Sequence, residues 1–228
     1  MYCSRSCRGK VCGGSSRATR LGLFEEWTPE ECWLAGLIWT DGHLERQKPP
    51  NRRITLTLSD EEPMAAAARI AGGSYSSKEL PPPRKTRHVL RIGERQAVNR
   101  IAERGMDRPK LTLRAFPDLP YPAAFLRGAF DGDGSAGRYL QTNVKHQPYR
   151  DRLQCFLFGG PVFLQGVVDF LATQGIKSRP VHPRRGKPIY YVQWSHKDSL
   201  RLAEIMYSDP GPYMERKWAK FYANPERF

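Results

Sequence analysis

Two aspartates, Asp41 and Asp133, stand in the same chemical setting: each precedes a glycine and closes a short apolar run that has another glycine inside it. The runs are Trp33–Gly42, WLAGLIWTDG, and Phe125–Gly134, FLRGAFDGDG, and a single offset of 92 residues separates Gly36 from Gly128 and Asp41 from Asp133. Leu34 and Leu126 also correspond, and the apolar places Leu37/Ala129 and Ile38/Phe130 agree in character. Both runs begin behind a proline, Pro29 or Pro122, and stop at a glycine, which predicts two short helices. Packed side by side through their small residues, with Gly36 and Gly128 at the contact, the helices would bring both acids to a shared C-terminal end. Carboxylates there oppose the helix dipole. The arrangement calls for a cation between them.

The elements that position these helices are legible from turns and periodicity. Strand pairs are predicted over 43–47 and 52–58 around KPPN, 74–80 and 88–93 around PPPRK, 138–146 and 150–158 around QPY, and 177–182 and 187–194 around PRRG. Within them RRITLTL and IYYVQWS alternate, the second placing Tyr190, Val192 and Trp194 on one face and Tyr191, Gln193 and Ser195 on the other. Helices are predicted after Ser59, over Arg95 to Arg104, over 159–175 and from Ser199 to Tyr207. The order helix, two strands, helix, two strands, helix therefore occurs twice. This is an α+β chain of two pseudo-symmetric αββαββα halves, 25–118 and 119–228, behind a basic arm over 1–24.

Composition restricts the partner. The 228-residue chain carries a net charge of +14. The four segments 43–57, 74–93, 137–153 and 178–197, which hold the predicted strands, contain 18 Lys and Arg against 3 acids, leaving 19 bases and 20 acids elsewhere. A basic excess confined to the sheets is the footprint of a polyanion. The sequence lacks an apolar run long enough for a transmembrane helix and an apolar signal region at its start, so an intracellular place is expected. Five cysteines without even spacing argue for thiols rather than a disulfide scaffold. Cys3, Cys7 and Cys12 raise zinc as a question, but a fourth ligand of usual spacing is missing. Cys32 and Cys155 fall in apolar stretches and read as buried packing residues.

The paired runs resemble the signature of the LAGLIDADG homing endonucleases in their single-chain, two-motif form, over about residues 25–225. The first copy departs from the pattern with Trp39-Thr40 in place of Asp-Ala. The resemblance implies antiparallel sheets forming a DNA-binding saddle with the motif helices packed between the halves. It further implies metal-dependent hydrolysis of both strands of a long asymmetric duplex DNA site, leaving short 3′ overhangs, by a monomer. Asp41 and Asp133 become the metal ligands, joined by Gly42 and Gly134, with Mg2+ as the cofactor and Mn2+ as a substitute. Asp131, the earlier acid of the second copy, is not expected in catalysis. The stretches RPKLTLRAFPDLP and YMERKWAKF resemble segments that bring a basic residue to each centre, here Lys110 and Lys217, to polarise solvent or steady transition-state charge. Side chains that could read bases in the major groove are Arg46, Arg53, Arg91, Arg138, Gln141, Asn143, Arg152, Arg184 and Gln193. Two rival readings share the fold: an intron maturase that binds RNA, and a DNA-binding regulator that does not cut. An intein is disfavoured, as no splicing-type flanks or terminal His-Asn are seen.

Overall fold

In this computed structural model the described residues are 17–18, 20–45, 53–142, 148–177 and 179–222, without the side chains of 17–18, 139–142 and 148–152. Cys3, Cys7, Cys12, Arg46 and Asn143 lie outside them, as do the side chains of Gln141 and Arg152.

The first half runs α1 (Pro29–Asp41), β2 (Gly42–Leu44), β3 (Ile54–Leu58), α2 (Glu61–Ile70), β4 (Ser76–Lys78), β5 (Arg87–Ile92) and α3 (Arg95–Ile101), preceded by a two-residue strand β1 (Arg17–Ala18). The second runs α4 (Pro122–Asp133), β6 (Gly134–Thr142), β7 (Pro148–Gly159), α5 (Pro161–Thr173), β8 (His182–Pro183), β9 (Tyr190–Ser195) and α6 (Lys197–Met206), followed by α7 (Glu215–Tyr222). The predicted αββαββα order is present in each. The predicted strand over 177–182 contracts to β8, and α3 ends early, passing into a wide turn where Gly105 takes a φ of +105°. Within the stretch 1–24 read as a basic arm, the described residues pack on the first half: Leu23 and Phe24 are wholly buried, Arg20 bonds to the Ile70 carbonyl at 3.2 Å, and β1 adds to β5 in parallel.

The first sheet has the order β1-β5-β3-β2 with β4 on β5, and the second β6-β7-β9-β8. Alternation is strict. Ile54, Leu56 and Leu58 with Leu90 and Ile92 are buried against helices, while Thr55, Thr57, Val89 and Arg91 lie on the other face. In the second sheet Leu153, Cys155, Leu157, Val192 and Trp194 point into the core and Gln154, Phe156, Phe158, Tyr191 and Gln193 do not. Such one-sided burial fixes register, because a one-residue slip would invert every side chain.

At the centre α1 is buried from Glu31 to Thr40, so it is apolar on all sides, as a fully enclosed helix must be. A capping box starts it: Thr28 accepts from Glu31 N at 3.3 Å and Glu31 accepts from Thr28 N at 3.1 Å. The start of α4 lacks a side-chain cap and relies on Pro122.

Candidate active site at the paired helix ends

The two motif helices meet backbone to backbone. A Cβ on Gly36 would strike the Phe125 carbonyl oxygen and lie 2.6 Å from Ala129 N; one on Gly128 would strike the Trp33 carbonyl oxygen and lie 3.1 Å from Leu37 N. The two predicted interface glycines are thus one reciprocal contact. Nearer the acids, Gly132 presses on Thr40 and Asp41, where a Cβ would meet Thr40 Oγ1 and Asp41 Oδ2. Sequence reading does not single out Gly132; the local signal is that it takes the place of Thr40 under the 92-residue offset.

Asp41 and Asp133 are the last residues of their helices, and both following glycines bond back into the helix, Gly42 N to Ile38 O and Gly134 N to Phe130 O. Thr40 Oγ1 donates to Asp41 Oδ2 at 3.1 Å. Burial, and then the neighbouring Asp133, push the Asp41 carboxyl above its ordinary range. This is what two acids facing one small volume produce.

Cations close on the helix ends from both halves. Lys110 Nζ donates to Asp133 Oδ2 at 2.8 Å and to the Thr40 carbonyl, so it bridges the second acid and the first helix. Arg114, which sequence reading passes over, takes the Trp39 carbonyl at 2.7 Å and Met106 O at 2.8 Å. Its guanidinium stacks on the Trp39 ring at 5.4 Å, and burial lowers its pKa to about 10. Lys217 closes α4: its three protons are shared among Phe130 O at 2.8 Å, Asp131 O at 2.7 Å, Gly132 O at 3.1 Å and Gly134 O at 2.6 Å. At 5 % exposure it is a buried helix cap, and burial pulls its pKa down to about 8. Lys217 therefore meets the end of α4, and its protons go to main-chain carbonyls.

Asp131 stays out of the acid pair. It is 1 % exposed, accepts from Trp33 Nε1 at 2.8 Å and Met214 N at 3.1 Å, and burial raises its carboxyl to about 6. It braces α1 to the approach of α7.

Asp41 and Asp133 are hard oxygen donors at one partly buried place, which fits a divalent cation. Among the described residues no group of three or more His, Cys, Asp or Glu could hold one, so the remaining ligands would be waters, phosphate and main-chain oxygens, the coordination Mg2+ prefers. Gly134 O already accepts from Lys217 and keeps a second lone pair.

The predicted base-reading residues divide. Arg91 (opposite Thr55) and Gln193 (opposite Phe156) lie on the open sheet faces, and Arg184 lies over the Phe158 ring at 5.3 Å. Arg53 is held by Glu45 at 2.7 Å. Arg138 pairs in register with buried Leu153 and so stands on that residue's side of the sheet, at an exposed position.

No protein-family model matches the chain, and no curated protein matches it. Solved structures do. The I-SmaMI LAGLIDADG homing endonuclease bound to cleaved DNA superposes with a TM-score of 0.57 at 11 % identity, over 90 % of this chain and 88 % of that one. The LAGLIDADG meganuclease I-AabMI bound to uncleaved DNA gives a TM-score of 0.58 at 10 % identity, over 86 % and 89 %. The chain has the LAGLIDADG meganuclease fold in its single-chain, two-half form.

Proposed function

Taking that fold as the premise, we propose that the protein is a site-specific endonuclease that hydrolyses both strands of an asymmetric duplex DNA site, leaving short 3′ overhangs. The observation that carries the reading is Asp41 and Asp133 at the joined ends of α1 and α4, with Lys110 bonded to one acid and to the other helix. The matched structures hold DNA in these folds. Here the basic excess of the strand-bearing segments supports the same partner.

Asp41 and Asp133, with the Gly42 and Gly134 carbonyls, would hold Mg2+ or Mn2+. A divalent cation bound there supplies a nucleophilic water and neutralises charge on the attacked phosphate and the leaving 3′ oxygen. Lys110 uses two of its three protons on Asp133 and Thr40, and its side chain is 35 % exposed, so the third can meet the phosphate or its water. Lys217 holds the end of α4, and with it Asp133, at a fixed distance from Asp41. Gly36 and Gly128 satisfy each other within one chain, which supports a monomer. No helix among the described residues is long and apolar enough to cross a membrane.

The test uses purified protein and a duplex selected by cleavage from a randomised library with Mg2+. Asp41→Asn and Asp133→Asn should each lower cutting by at least about 10²-fold, the usual scale for removing one charge-stabilising group, while DNA binding persists. Undiminished cutting by the double variant, or strong binding of structured RNA with no duplex cut, would overturn the reading.

A further inference from the structure

The open faces of the two sheets are chemically unlike. Leu56 and Leu157 occupy equivalent places, because each pairs with the glycine that follows a motif acid, Gly42 or Gly134. Thr55 and Thr57 therefore correspond to Phe156 and Phe158, and Val89 to Tyr191. In the second half the three rings form one patch: centroids lie 6.3 Å apart for Phe156 and Phe158 and 6.1 Å from each of these to Tyr191. All three are partly exposed, on strands whose opposite face is already in the core. Rings that touch one another across strands and face outward await an apolar partner.

Two observations identify it. Phe158 lines the same small cleft as Asp133 and Lys110, so the patch is continuous with the acid site. Arg184 over Phe158 gives its rim a positive charge, so the partner is both anionic and locally apolar. In a DNA major groove one base alone presents an apolar group, the C5-methyl of thymine. We propose that Phe156, Phe158 and Tyr191 read thymine methyl groups in the half-site gripped by the second half, next to the cut, whereas the threonine-bearing first half reads its side mainly by hydrogen bonds. This rests on the duplex-endonuclease reading.

The experiment replaces each thymine of the library-selected duplex, one at a time, with deoxyuridine, which removes the methyl and keeps the base-pairing edge. The scan is run on the wild-type protein and repeated with Phe158→Ala. Substitutions close to the cut on the second half's side should weaken binding about fourfold each, the factor that corresponds to about 0.8 kcal/mol for one buried methyl-sized group. Those on the other side should have less than half that effect, and Phe158→Ala should abolish the response at the positions beside the cut. A flat scan, equal responses on both sides, a response unchanged in Phe158→Ala, or a selected half-site without thymine overturns the inference while cleavage of the duplex leaves the enzyme reading intact. If no duplex is bound, both fail together. If the aromatic variants lose single-stranded RNA and keep duplex DNA, the patch is a stacking platform instead.

Discussion

The C-terminal ends of the two motif helices are the same in backbone and different in how their charge is met. At the end of α1 two cations divide the exposed carbonyls, Arg114 taking Trp39 and Lys110 taking Thr40, and Lys110 still reaches Asp133. At the end of α4 one buried lysine, Lys217, takes four carbonyls and no carboxylate. Both solutions satisfy the orphan carbonyls that every helix leaves. Only the first leaves a partly exposed ammonium on an acid. Pseudo-symmetry at the level of chain path therefore does not make two equal helix ends, and the lysines that sequence reading treats alike make different contacts.

The largest effects should come from the feature that the two ends share. Gly36→Ala or Gly128→Ala puts a methyl into a carbonyl oxygen of the facing helix; backbone cannot turn aside, so the helices must part, at a cost of about 3 kcal/mol or more. Gly132→Ala meets Thr40 Oγ1 and Asp41 Oδ2, which can rotate, and Thr40 Cβ at 2.8 Å, which cannot. Its cost should be smaller, about 1–2 kcal/mol, yet cutting should fall at least about tenfold, because the group displaced is the acid. Urea unfolding midpoints beside cleavage rates measure both. Equal destabilisation by Gly128→Ala and Gly132→Ala would mean that the tight helix contact is spread over the interface.

The lysines come next. Lys217→Met strips the donor from four carbonyls in a place that water scarcely reaches, a loss of about 2–4 kcal/mol at roughly 1 kcal/mol or less for each acceptor. Lys110→Ala removes a partly exposed ion pair and should change stability by no more than about 1 kcal/mol. Its effect should appear in chemistry: cutting slower by roughly tenfold or more, with the strand attacked beside Asp133 lagging so that nicked duplex accumulates. Strand-resolved gels follow this directly. Nicked product from Lys217→Met and none from Lys110→Ala would reverse the assignment of duties.

The common plan was legible because it repeats. The 92-residue offset, the glycines within each run and the strict alternation of ITLTL and YYVQWS fix the helix pair, both acids and the inward faces of the sheets. What differs between the halves was not legible, since it depends on contacts remote in sequence. Nothing local to Arg114 marks it as the partner of Trp39 O, 75 positions away. Lys217 could be placed near the acids by resemblance, but its burial follows from four carbonyls some 85 positions earlier in the chain. The side of the sheet on which Arg138 stands follows from its pairing with Leu153, a register that nothing local to Arg138 announces.

The smallest effect tests the comparison most finely, because one substitution at two related sites should differ in consequence. Trp33 corresponds to Phe125, and Trp39 to Asp131, under the same offset. Across the helix pair these places meet twice, as Trp33 donating to Asp131 at 2.8 Å and as Trp39 against Phe125, edge to face at 5.5 Å. Trp33→Phe leaves a buried carboxylate with Met214 N as its remaining hydrogen-bond donor, while its other oxygen has none among the described residues. That should cost about 1–3 kcal/mol. Trp39→Phe removes an indole N–H that is buried without a partner among the described residues. It keeps an aromatic edge contact, gives up part of the stacking with Arg114, and should come within about 1 kcal/mol of wild type. Unfolding of the two variants under one set of conditions measures the difference, and a Trp39→Phe protein as unstable as Trp33→Phe would show that ring volume, rather than the hydrogen bond to Asp131, sets the strength of this crossing.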